Sequence, residues 1–76
     1  MTFDDIKFVP HATVPGAVMG RLDLQNGIRL SVVGGGFGLY GDGVDTFEVL
    51  VSTHDDVIGH QTREDIDELI AGLEKE

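Results

Sequence analysis

The chain has 76 residues, no cysteine, 14 acidic and 5 basic side chains, and a formal charge of −9. That length fits one domain (1–76), which at this size leaves about 40% of the unfolded chain's surface exposed and has no disulfide to support it. A hydrophobic fraction of 41% excludes a disordered acidic tail, and the clustered Lys and Arg that hold phosphates directly are missing, which excludes direct nucleic-acid binding.

No apolar run is long enough for a membrane span. Asp4 and Asp5 stand where a signal peptide would be positive. The expectation is a soluble, cytoplasmic protein without a membrane partner.

Residues 1–16 hold Phe3, Ile6, Phe8 and Val9, then Pro10 and Pro15. Each proline biases its predecessor toward extended backbone. An extended arm is expected, with a short strand around Ile6–Val9.

Residues 17–33 alternate as a hairpin, with Val18, Gly20, Leu22 and Leu24 on one arm and Ile28, Leu30 and Val32 on the other. Asn26-Gly27 is the usual signal for a two-residue turn. Such a turn would set Leu24 opposite Arg29 and mix the faces. A three-residue loop, Gln25-Asn26-Gly27, instead pairs Leu24 with Ile28, Leu22 with Leu30 and Asp23 with Arg29. Gly27 then takes the left-handed position.

Residues 34–45 contain six glycines. Residues 46–52 form the next strand, with Phe47, Val49 and Val51 on one face and Glu48, Leu50 and Ser52 on the other. Leu50 breaks the polar pattern, so part of that second face is expected to be covered. Residues 53–61 read as a polar link.

Thr62 begins the one clear helix, predicted over 62–75. It is an N-cap residue with Asp65 three positions on, an approximate capping box. Ile66, Leu69, Ile70 and Leu73 form an apolar stripe, and Glu64, Asp65, Asp67 and Glu68 lie where the helix dipole favours negative charge. The expected fold is α+β: a small antiparallel sheet of three to four strands within 17–52, with the C-terminal amphipathic helix packed on one face.

Gly36-Phe37-Gly38-Leu39-Tyr40-Gly41 matches the dinucleotide-binding spacing and follows a strand. That chemistry needs a helix to open next, yet Asp42-Gly43 follows. Two other readings stay open. The segment is a β-connection with Asp42-Gly43 as a turn. Or Gly35, Gly36, Gly38 and Gly41 form an anion-binding nest, with Phe37 and Tyr40 as stacking surfaces for a nucleotide-like ligand. His11, His54 and His60 with Asp55 and Asp56 match no metal-ligand spacing, and no metal or cofactor is expected. Without Cys, and with Ser31 and Ser52 on strands, nucleophilic catalysis has little support. The chain is expected to be a non-enzymatic protein.

Phe8-Val9-Pro10-His11, Thr13-Val14-Pro15-Gly16, Asn26-Gly27, Ser31-Val32-Val33-Gly34, Tyr40-Gly41 and Thr46-Phe47-Glu48-Val49 resemble small accessory proteins of tailed phages. The resemblance runs from about Phe8 to the helix. It implies a bacterial host cytoplasm and, by analogy of class, an inhibitor of a defence system similar to anti-CRISPR proteins. It assigns no role to any residue.

The leading expectation is an acidic binding protein that mimics phosphate charge. Asp42, Asp45, Glu64, Asp65, Asp67 and Glu68 would meet a basic, nucleic-acid-binding surface of a host protein or nucleoprotein complex. The alternatives are a protein sequestering a nucleotide-like ligand through 34–43, and a self-associating structural or assembly protein. Leu50, Met19 and Val33 on the outer sheet face suit a homodimer.

Overall fold

The computed structural model describes residues 1–36, 41–54 and 56–75. Among these, five antiparallel strands lie side by side in chain order: β1 (Val9–Pro10), β2 (Val18–Asp23), β3 (Arg29–Gly34), β4 (Thr46–Val51) and β5 (Ile58–Thr62). A helix, α1 (Arg63–Leu73), follows β5 directly. The class is the expected α+β arrangement, with one strand more than the three to four expected.

The β2–β3 hairpin takes the register that keeps like faces together. Leu22 pairs with Leu30 and Asp23 with Arg29, and the Leu24 N–H donates to the Ile28 carbonyl at 2.8 Å. The three-residue loop closes with Gly27 at φ +90°, which a residue with a Cβ rarely adopts. Asn26 does more than turn the chain, because its side-chain amide donates to the Leu73 carbonyl at 2.9 Å and ties the hairpin tip to the end of α1.

Alternation decides which face is buried. Leu30, Val32, Val49 and Val51 point inward and meet Ile66 and Ile70 of α1, all essentially without exposure. Each such side chain contributes about 1.5–3 kcal/mol on burial. An isolated helix shorter than about 12 residues is marginal in water, so this stripe holds the 11-residue α1 in place. Its start is fixed by the capping box: the Asp65 N–H donates to Thr62 Oγ1 at 3.1 Å, and the Thr62 N–H donates to Asp65 Oδ2 at 3.0 Å.

Two segments depart from the sequence-based expectation. The extended arm over 1–16 begins with a single 3-10 turn, Phe3–Asp5, and its strand is β1, two residues beside β2. The turn buries Phe3, and Ile6 is buried just after it. Phe3, Phe8 and Phe47 cluster with ring centroids 5.2–5.5 Å apart. The polar link over 53–61 contains most of β5. That strand has few apolar residues and is bulged: Phe47 pairs with Gln61 but Val49 pairs with Ile58, so β5 carries an extra residue. His60 lies in the bulge at φ 54°.

Among the described residues no helix is long and apolar enough to cross a membrane.

Candidate functional site

Arg63, the first residue of α1, organises the region where the predicted acidic residues lie. Its Nε and Nη2 donate to the Val44 carbonyl at 3.3 and 3.1 Å. The same guanidinium sits 5.3 Å from the centroid of the Phe3 ring. Three segments far apart in sequence therefore meet at one cation: the N-terminal turn, the loop before β4 and the start of α1. Each has a carboxylate next to the tied residue, namely Asp4, Asp45 and Glu64. Strand pairing supports the same juxtaposition, since Thr46, after Asp45, pairs with Thr62, the N-cap of α1.

The six predicted acidic residues divide into two kinds. Asp42, Asp65 and Asp67 are committed to the fold. Asp42 Oδ1 accepts from the Val44 and Asp45 N–H groups at 2.8 Å and from Thr46 at 3.0 Å. These backbone donors, with Thr46 first, then Val44 and Asp45, hold its carboxyl down at about 2. Asp65 completes the helix cap. Asp67 Oδ1 accepts from the Phe3 N–H at 2.6 Å and docks the N-terminal turn onto α1. Asp45, Glu64 and Glu68 are exposed, and their carboxylates have no hydrogen bond or ion pair among the described residues.

Asp4 belongs with this uncommitted group, and the sequence reading passed over it. A signal was present: Thr2 and Asp5 have the same spacing as Thr62 and Asp65. In the structure the Thr2 N–H donates to Asp5 Oδ2 at 2.8 Å. That spacing marks a helical start and would have placed Asp4 in a turn rather than an arm.

The glycine-rich loop is shaped by close packing of backbone. A Cβ on Gly34 would meet the Gly43 Cα at 2.8 Å, and one on Gly41 would meet the Phe47 backbone at 2.7 Å. The Gly35 N–H donates to the Gly41 carbonyl at 3.0 Å, Gly43 to the Thr46 carbonyl at 2.9 Å, and Asp42 to Thr46 Oγ1 at 3.0 Å. Of the glycines expected to form a nest, Gly35 thus has its amide on an internal acceptor, and the carboxylates of Asp42 and Asp45 in the same loop disfavour an anion. No helix follows Gly41, because the chain turns at 42–45 and enters β4. Gly36 precedes the residues outside the description. Phe37, Gly38 and Tyr40 lie outside the described residues, so the stacking surfaces do too.

Among the described residues no three His, Asp or Glu side chains gather closely enough to hold a metal ion. His11 Nδ1 accepts from the Thr13 and Val14 N–H groups at 3.1 and 3.2 Å and folds the turn after β1. Asp55, named with the histidines, lies outside the described residues.

No family model, curated protein or solved structure matches the chain. The functional reading therefore stands on geometry and charge.

Proposed function

We propose that the chain is a non-enzymatic acidic binding protein that docks the surface around Arg63 onto a basic, nucleic-acid-binding surface of a bacterial host protein or nucleoprotein complex. In this reading it is an inhibitor similar in class to anti-CRISPR proteins and acts in the host cytoplasm. The observation that carries it is the junction at Arg63, which brings together the chain segments of Asp4, Asp45 and Glu64, with Glu68 one turn beyond Glu64 on α1. Their carboxylates have no partner among the described residues, while the basic side chain between them is occupied by Val44 and Phe3. A surface of one sign attracts the opposite sign at range and raises the association rate.

Asp42, Asp65 and Asp67 take a different part. They fix the loop, the helix start and the N-terminal turn, so that the free carboxylates keep their spacing.

The test is capture from bacterial lysate on immobilised protein, with elution by rising salt or by duplex DNA. The expected result is one nucleic-acid-binding partner released by both, and lost when Asp45, Glu64 and Glu68 are changed to Lys. Retention of that partner by the triple variant would refute the reading. So would a partner that DNA does not displace.

A further inference from the structure

The outer face of the sheet differs from the rest of the surface. Register places Val9, Met19, Val33 and Glu48 in one row across it, and Arg21, Ser31 and Leu50 in the next. Asp23 and Arg29 follow, with Ser52 Oγ accepting from the Arg29 N–H. In a chain of charge −9, this face has Arg21 and Arg29 against Asp23 and Glu48, and is formally neutral. It is also apolar where polar residues belong. Leu50 is 42% exposed and Val9 54%, and α1 packs on the opposite side. The covering that Leu50 led us to expect does not come from any described element.

The charges on this face are arranged in a self-complementary way. Asp23 and Arg29 pair within the chain at 2.7 Å. Arg21 and Glu48 make no ion pair among the described residues. They flank β3 from either side, one row apart, which strand geometry converts to about 12 Å, too far for a direct pair. A two-fold axis lying between two such faces and crossing β3 near Val32 exchanges the two positions. Arg21 of each copy then meets Glu48 of the other, as an isologous interface requires.

We propose that a second copy of this chain covers the outer sheet face, with reciprocal Arg21–Glu48 pairs around Leu50, Met19 and Val33. Elsewhere the acidic surface repels another copy, so the neutral face is where two copies approach. The face offers about 300–500 Å² per copy from strand spacing, below the ~800 Å² per partner of stable complexes. The dimer is therefore weak and depends on concentration. It leaves both Arg63 surfaces outward and does not rest on their function.

Sedimentation equilibrium from micromolar to millimolar protein tests this. The expected mass rises from one chain toward two. Arg21→Glu and Glu48→Arg should each weaken association about tenfold or more, or 1.4 kcal/mol, and the double swap should restore it. Glu64→Arg makes the same charge change as Glu48→Arg on the other side and should not weaken it. Dilution of the unaltered protein, followed by amide NMR shifts, keeps the test open if a variant misfolds: shifts should concentrate at Met19, Val33 and Leu50, not on α1. A mass of one chain throughout overturns the proposal. A double swap without rescue, or dilution shifts confined to α1, does the same.

Discussion

Carboxylates of similar exposure on this protein do different jobs, and single substitutions separate them. Asp67 and Glu64 share α1 and lie three positions apart. Asp67→Ala removes the acceptor for the partly buried Phe3 N–H and should cost about 1–3 kcal/mol, the penalty for an unmet donor. Glu64→Ala makes the same charge change and should stay within about 0.5 kcal/mol of the parent. Urea unfolding of the two variants checks this, and equal losses would mean that the Phe3 bond contributes nothing. Asp42 adds a dependence on pH. Its folded value of about 2 lies below the ordinary 3.8, so the charged form is favoured by folding. The stabilisation is complete above 3.8 and disappears as pH falls through about 2. The stability advantage of the parent over Asp42→Asn should therefore be level at neutral pH and shrink steadily across that window. A difference that grows on acidification would contradict the three backbone bonds.

At the scale of elements, β5 tests what a bulge tolerates. His60 sits at φ 54° inside the extra residue of that strand. A β-branched side chain fits that backbone poorly, and the left-handed region costs roughly 1–2 kcal/mol for residues with a Cβ. His60→Val should lower stability by about that amount or more even though Val is a better strand former. Stabilisation would show that the bulge is not held. The same bulge explains why β5 was illegible in the sequence: alternation is the signal for a strand, and the extra residue breaks it within a five-residue stretch containing one large apolar side chain. The β2–β3 hairpin was legible because one register alone matched Leu22 with Leu30 and Asp23 with Arg29, and α1 because stripe and cap agree. Phe3 was not, since its partners Phe8 and Phe47 and its hydrogen bond to Asp67, 64 positions away, are invisible to local pattern. The acidic surface was half legible for the same reason: Glu64 and Glu68 announce themselves on the helix, whereas Asp4 joins them only through the turn that Arg63 and Asp67 hold down.

Over the whole molecule, charge is poorly compensated. Against a formal −9, the side-chain ion pairs among the described residues are Arg29–Asp23 and the Met1 amine with Glu74, all exposed by a third or more. Exposed pairs contribute about 0–1 kcal/mol each, whereas repulsion among like charges acts over the full 35 × 24 × 20 Å body. Screening shortens both, but not equally. The Debye length falls from about 30 Å at 0.01 M to about 3 Å at 1 M salt, so at low ionic strength every acid feels the others and at high ionic strength only neighbours do. The contact pairs lose less because their charges touch. Repulsion therefore fades faster than attraction, and the folded state, which crowds the charges, gains more from salt than the expanded chain. The melting temperature in dilute protein should rise from about 0.01 M to about 0.5 M NaCl, and the rise should be smaller in Glu64→Gln/Glu68→Gln, which removes two like charges one helical turn apart on α1. A melting temperature that falls with salt would mean that the two ion pairs outweigh the net charge, and that the acidic surface around Arg63 carries no measurable strain in the free protein.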